Sequence, residues 1–363
     1  MKPLVVWQLH EGNISGANIA MIEYATALSN GYRFHAILPH SGTMCAALEK
    51  KNIPFSIIHQ YGWTGKKGNL IQIFRKTIRT FIAIITVKRL LLQLKPTFVF
   101  TNTLIPFVSA KVSTRLRIPH VWFIHEFGWE DFGFRIGWEN ESYAFKKMSD
   151  WNKLVIVNSD AVLNKFQSVL RNVEIKRIYQ PVSWVSHNDC NKSKIARFLM
   201  FGQLAPTKGH IDVLEALAMA QKKCPDKKIN LHIVGPSEDK QYLNVLYKKI
   251  EQLQLQNIVK IKEGYFEKEQ IIPSYETLIV ASYSEAFGRV IIEAKKAGLG
   301  VIVRNTGGAP ELLSERQDRL FNSVEDLANI LTCYNHKQHN DFMLPYDESE
   351  EILKLENLLQ SII

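Results

Sequence analysis

The sequence predicts an α/β protein built from two Rossmann-like parallel-sheet domains. Three observations carry the prediction. Short apolar runs of strand length alternate with helical segments along both halves of the chain. Strands alternating with helices imply a parallel sheet covered on both faces. The length, 363 residues, exceeds one ordinary domain and suits two. Between the halves, residues 181–194 (PVSWVSHNDCNKSK) are polar and follow neither the helical nor the strand period, which marks a boundary. The domains are placed at 1–185 and 186–345, with a terminal helical segment over 346–363.

In the first half, residues 4–9 read as the opening strand. A turn follows, Glu11-Gly12-Asn13-Ile14-Ser15-Gly16-Ala17, and then a helix. Apolar runs at 34–38, 55–58, 98–100, 121–124 and 154–157 continue the alternation. The Ser15-Gly16-Ala17 turn stands after strand one, where Rossmann-like domains bind phosphates. It lacks the full G-x-G-x-x-G, which argues against a dinucleotide. A plain tight turn is the other reading.

Residues 70–95 contain Arg75, Lys76, Arg79, Lys88, Arg89 and Lys95 and no acidic residue. Lys66 and Lys67 precede them, and aliphatic and Phe side chains lie between the charges. Such a basic amphipathic helix can lie in an anionic membrane surface. It can equally cover a sheet and leave its basic edge in water. An anionic membrane surface, met through residues 66–95, is the partner the first reading expects.

His125 ends a strand within Trp122-Phe123-Ile124-His125-Glu126 and is expected to point into a cleft. The loop that follows, residues 126–141, mixes aromatic rings with carboxylates. That composition suits an acceptor carrying sugar or lipid, or simply packs a loop. Asn158-Ser159-Asp160 reads as a helix cap, and Asn102 as a second residue of the same cleft.

In the second half, residues 196–201 form a fresh strand, followed by Gly202-Gln203-Leu204-Ala205-Pro206-Thr207-Lys208-Gly209. Further strand-and-turn units end at Gly235-Pro236-Ser237 and at Gly264-Tyr265. The run Leu278-Ile279-Val280 leads to SYSEAFGRVIIEAKKAGLGVIVRNTGGAP. Gly288 opens a helix there, Gly298 and Gly300 end it, and a second strand precedes the Gly307-Gly308 turn. Glu285 and Glu293 are separated by seven residues, about two helical turns, on roughly one face. Backbone N–H groups at Phe287, Gly288 and Arg289 are expected to face a ligand at the helix start.

SEAFGRVIIEAKKAG and GGAPELL resemble the E-x7-E region of retaining nucleotide-sugar glycosyltransferases of the GT-B fold, family 4. That bacterial family builds surface polysaccharides and glycolipids. The resemblance covers nearly the whole chain. It implies two Rossmann-like domains facing across a cleft, the second binding the nucleotide sugar. It implies that Glu285, Lys208 and His125 serve the chemistry. Gly16, Gln203, Tyr265, Phe287, Gly288, Arg289 and Glu293 are implied at the donor, with Glu293 on the ribose hydroxyls and Tyr265 near the base. No metal or cofactor is expected. The turn at 202–209 is similar to the family's G-R-L-x-x-x-K-G, with Lys208 in place. Gln203 replaces the arginine and brings no charge to the diphosphate. The terminal segment is expected to cross back to the first domain.

The reading is therefore transfer of a hexosyl or N-acetylhexosaminyl group from a nucleotide-diphosphate donor to a hydroxyl of a glycan or lipid-linked acceptor. Two alternatives stay open: a GT-B nucleotide-sugar epimerase, and a non-catalytic partner subunit that only binds a sugar nucleotide. The formal charge of +10 is uneven: residues 1–185 hold 23 Lys and Arg against 11 Asp and Glu, net +12. The remainder holds 22 against 24, net −2. Nucleic acid is not the expected partner, because the basic residues come with aliphatics rather than stacking aromatics. The scattered cysteines, Cys45, Cys190, Cys224 and Cys333, suit a reducing compartment and no zinc site. The opening MKPLVVWQLH reads as a strand rather than a signal peptide, and no apolar stretch is long enough to span a bilayer. A cytoplasmic protein, peripheral on the inner membrane face, is expected.

Overall fold

The computed structural model describes residues 2–64, 70–138, 140–184, 196–227, 229–314, 318–333 and 344–362. Lys66, Lys67, Cys190 and the boundary placed between residues 185 and 186 lie outside the described residues. The chain forms two compact units, one of Met1–Pro181 with Tyr346–Ile363, the other of Val182–Pro345.

In the first unit the strands are β1 (Leu4–Gln8), β2 (Arg33–Leu38), β3 (Phe55–Ile57), β4 (Phe98–Asn102), β5 (His120–Ile124), β6 (Leu154–Val157) and β7 (Glu174–Arg177). The helices are α1 (Gly16–Ala27), α2 (Thr43–Lys50), α3 (Leu70–Leu94), α4 (Val108–Leu116), α5 (Trp129–Phe132), α6 (Glu141–Trp151) and α7 (Asp160–Val169). The seven strands pair in parallel in the order β3-β2-β1-β4-β5-β6-β7. The order reverses between β1 and β4, and such switch points are where open α/β sheets hold ligands. Trp7 of β1 anchors the core, its ring centroid 4.8 Å from Phe123 and 5.1 Å from Phe100. Ser159 caps α7 by accepting from Val162 N–H at 3.1 Å.

α3 has two apolar faces. Ala83, Val87 and Leu91, four residues apart, are buried, and the helix packs on α4. On the opposite side Phe74, Phe81 and Ile82 are 66%, 63% and 55% exposed, and Ile78, Ile85 and Leu92 continue that stripe into solvent. At 100° per residue, Arg75 and Arg79 flank the outer stripe on one side and Lys88 on the other. A solvated helix carries one apolar stripe, not two. Among the described residues, no helix is long and apolar enough to cross a membrane.

The second unit contains β8 (Ala196–Phe201), β9 (Leu231–Gly235), β10 (Val259–Glu263), β11 (Tyr275–Val280), β12 (Gly300–Arg304) and β13 (Arg319–Phe321). Its helices are α8 (His210–Lys223), α9 (Lys240–Gln252), α10 (Lys268–Ile271), α11 (Arg289–Lys296) and α12 (Val324–Cys333). The six strands are again parallel, in the order β10-β9-β8-β11-β12-β13, so the switch point falls between β8 and β11. Its core joins Phe198, Leu214, Leu217, Ile233, Leu246 and Phe321 from sheet and helices.

The last helix, α13 (Glu348–Ser361), belongs to the first unit. Leu355 and Leu359 enter the Trp7 core. Buried Glu351 accepts from Arg177 at 3.0 Å and from Tyr179 N–H at 2.9 Å. Hydrogen bonds to a charged group of this kind contribute about 1.5–3 kcal/mol each.

Candidate functional site

In the second unit, the loops after β8 and β11 meet at the switch point. A 3-10 turn, Pro206–Lys208, leads into Gly209, which caps α8 with φ +68°. A Cβ on Gly209 would lie 2.1 Å from Ala281 O, so only glycine lets α8 start this close to β11. Thr207 O accepts from Tyr283 N–H at 2.9 Å, which joins the two loops. Asp212, in the first turn of α8, accepts from Tyr283 Oη at 2.9 Å and pairs with Arg304 at the end of β12. Arg304 also donates to Ala281 O at 3.0 Å and lies over the Tyr283 ring. This network fixes the turn that carries Glu285.

Glu285 is held at backbone and side chain. Its carbonyl accepts from Gly308 N–H at 2.8 Å, and a Cβ on Gly307 (φ +61°) would lie 2.1 Å from that carbonyl. Its Oε2 accepts from Lys208 Nζ at 3.1 Å and from Ser282 Oγ at 2.9 Å. Among the described residues Oε1 accepts no hydrogen bond. Glu293 sits almost fully buried in α11, whose cap is Gly288 with φ +92°. Its Oε1 accepts from Lys268 Nζ, and Arg289 Nη2 stands 3.9 Å away. Among the described residues Oε2 of Glu293 accepts nothing either. Phe287 is buried, Gln203 is exposed, and Tyr265 is 85% exposed.

The first unit gathers a different set at its own switch point. Gly16 opens α1, and Ser15 caps it by accepting from Asn18 N–H at 3.4 Å. Asn102, at the end of β4, donates to Ala17 O at 3.1 Å and to Asn18 Oδ1 at 3.4 Å. Its remaining oxygen faces His125 Nε2 at 2.7 Å, so that nitrogen donates. Gln180 Nε2 donates to His125 Nδ1, so that nitrogen accepts. The two bonds define a neutral imidazole with its proton on Nε2. Glu126, beside it, accepts from Leu104 N–H and, at 3.1 Å, from His125 N–H. Burial pushes its carboxyl up to about 8; the Leu104 N–H opposes that, Asp131 adds to it, and the His125 N–H opposes it.

The structure thus joins Lys208 with Glu285, Arg289 with Glu293, and the Gly16 turn with Asn102 and His125. Among the described residues, Glu285 and Glu293 share no hydrogen-bond partner. Sequence reasoning missed Lys268, Ser282, Gln180 and the Asp212–Arg304 pair. Ser282 was legible, three residues before Glu285 in a turn. Lys268 and Arg304 carry no local signal, because their partners lie far along the chain. Among the described residues no group of three His, Cys, Asp or Glu is placed to hold a metal ion.

Comparison with known proteins bears on the fold and the family. Residues 14–183 match the family model described as Glycosyltransferase Family 4, and residues 186–332 the model described as Glycosyl transferases group 1. With two parallel sheets of seven and six strands, the chain has the GT-B fold, and its two halves match those two glycosyltransferase family models. Among curated relatives, the UDP-N-acetylglucosamine–peptide N-acetylglucosaminyltransferase GtfA subunit of Streptococcus gordonii is 33% identical over 97 residues. That match covers 26% of this chain and 18% of the relative. An uncharacterised 41.2 kDa protein of the Klebsiella pneumoniae cps region is 26% identical over 150 residues, 40% of this chain and 37% of that one. Anabaena Alr3699/HepE, crystallised in complex with UDP-glucose, superposes with a TM-score of 0.74 at 22% identity, covering 99% of this chain and 98% of that chain. The lipopolysaccharide outer core galactosyltransferase WaaB, in its apo form, gives 0.68 at 15% identity over 100% of both chains.

Proposed function

We propose that the protein is a retaining glycosyltransferase that moves a hexosyl or N-acetylhexosaminyl group from a uridine-diphosphate donor to a hydroxyl of a glycan or lipid-linked acceptor. The observation that carries this reading is the second unit's edge, where Lys208 holds Glu285 just ahead of α11 and Glu293 stands within that helix, held by Lys268. Loss of a nucleoside diphosphate develops negative charge, and a lysine with a helix N-terminus stabilises it. The open Oε1 of Glu285 suits a donor-sugar hydroxyl, and Glu293 suits the ribose. The uridine assignment is supported by HepE, crystallised with UDP and glucose and with UDP-glucose, and by the name of the GtfA relative. In this reading no metal or cofactor is assigned. In the first unit, the neutral amides and imidazole suit uncharged sugar hydroxyls. Thermal unfolding against a panel of nucleotides and nucleotide sugars tests the reading, because a ligand of the folded state raises Tm. UDP or a UDP-sugar is expected to raise Tm for the wild type and not for Glu293→Ala. A panel that leaves the wild type unmoved overturns it.

The reading also places the first unit on an anionic membrane carrying the acceptor. The outer stripe of α3 supports this, since lipid is the solvent for exposed Phe and Ile, and flanking Arg and Lys fit anionic headgroups. Each basic side chain near such a surface contributes about 1 kcal/mol. The wild type is expected to float with phosphatidylglycerol vesicles at low salt, and the triple variant Phe74→Ser, Phe81→Ser, Ile82→Ser to stay behind with its nucleotide shift intact. Equal flotation of both, or of neither, overturns the docking.

A further inference from the structure

The two glutamates of the second unit share one arrangement. Each has one oxygen fixed by a lysine from a separate element: Lys208, from the turn after β8, holds Glu285, and Lys268, at the start of α10, holds Glu293. Each leaves its other oxygen without a hydrogen bond among the described residues. The parallel is chemical as well as geometric. An ionised carboxylate only accepts, at both oxygens, so one oxygen can meet a lysine while the other meets a hydroxyl. It must be fixed, or part of the binding energy is lost in ordering it. A glutamate as buried as Glu293 carries a heavy desolvation cost unless a cation accompanies it. Lys268, itself largely buried, meets both needs.

Lys268 is also the link between two parts of the edge. It follows the loop after β10 that presents exposed Tyr265, and it reaches across to α11. One ammonium therefore ties the loop nearest Tyr265 to the carboxylate assigned to the ribose.

We infer that Lys268 is a positioning residue for nucleotide recognition: by holding Oε1 of Glu293 it turns Oε2 toward the ribose hydroxyls, so that selection of ribose over deoxyribose depends on a lysine outside the E-x7-E stretch. This rests on the glycosyltransferase reading and deepens it. Lys268 touches Glu293 and acts through it.

The test is calorimetric titration of the full chain with UDP, 2′-deoxy-UDP and uridine. The wild type is expected to prefer UDP over 2′-deoxy-UDP by about tenfold, the scale of one hydrogen bond to a charged acceptor. Lys268→Met is expected to bring the two within about twofold while its affinity for 2′-deoxy-UDP stays near that of the wild type. Lys268→Arg should restore most of the preference, and it serves as the folded comparison if the methionine variant is unstable. Adding Lys268→Met to Glu293→Gln should cost nothing further, because the two changes remove one interaction. If Lys268→Met weakens UDP and 2′-deoxy-UDP equally, the positioning role is wrong. If it weakens UDP but not uridine, Lys268 is a phosphate contact and the inference is likewise overturned. A wild type that binds none of the three overturns the uridine-diphosphate reading together with the inference. A wild type that binds UDP, with discrimination unchanged in the variant, overturns the inference alone.

Discussion

The two sheets share a strand order and differ in what they present at its reversal. Between β1 and β4 the first unit displays Asn18, Asn102, His125 and Gln180, all neutral and bonded to one another. Between β8 and β11 the second unit displays the Lys208–Glu285 pair, and Lys268–Glu293 joins α10 to α11. Topology places a ligand edge in both; the side chains decide what each edge can bind. Neutral donors and acceptors match sugar hydroxyls without favouring charge. Lysines next to a helix N-terminus match a diphosphate. Net charge separates the units only in degree: with residues 346–363 counted in the first unit, it carries net +8 and the second unit net +2. Part of the first unit's positive charge lies on α3, at Arg75, Lys76, Arg79, Lys88 and Arg89.

The largest expected effect separates the two edges. Lys208→Met should lower the rate of donor hydrolysis by a hundredfold or more, the usual scale for removing one stabiliser of developing charge. It should also weaken UDP itself. His125→Asn should lower hydrolysis while leaving the UDP Kd within about twofold, because a neutral imidazole offers a diphosphate no charge. Rates and titration on both variants check this. Equal losses of UDP affinity would erase the distinction between the edges.

A smaller effect concerns stability of the first unit. The Glu126 carboxyl titrates near 8 in the folded chain and near 4.5 when exposed. Between those values the folded chain keeps a proton that the unfolded chain releases, so stability falls as pH rises toward 8. His120 is buried too, and burial lowers it to about 3 despite the opposing bond from Asn152. Its contribution therefore changes only below about pH 6.5. From pH 6.5 to 8.5 the wild type should lose about 2 kcal/mol through Glu126, at 1.36 kcal/mol per pH unit. Denaturant midpoints for wild type and Glu126→Gln over that window test it; parallel curves would show that Glu126 is already ionised at neutral pH.

How much of this was legible depends on sequence distance. Two parallel sheets followed from apolar runs alternating with helices. The edge strands β7 and β13 gave no such signal, because β7 alternates charged residues with half-buried ones and β13 has three residues. Lys208, Glu285 and Glu293 stood out because turn glycines frame them. Lys268 and Gln180 did not, since each meets its partner across 25 and 55 residues of chain. The α3 segment shows a further limit. Its composition offered membrane contact or sheet cover as alternatives, and only the folded helix reveals inner and outer stripes at once.

The smallest effect would sharpen the contrast between the edges. Gln203 stands where the resembling family carries arginine, and it is exposed beside the turn that leads to Lys208. Gln203→Arg should add a cation to the edge that already uses charge. Because the position is open to water, the gain is screened, and about 0.6 kcal/mol, or threefold in the UDP Kd, is expected. The gain should vanish for uridine and shrink with added salt. Equal tightening of UDP and uridine would mean that residue 203 works by contact with the nucleoside. No change for either would place it outside the diphosphate's reach, leaving Lys208 and the start of α11 to meet that charge.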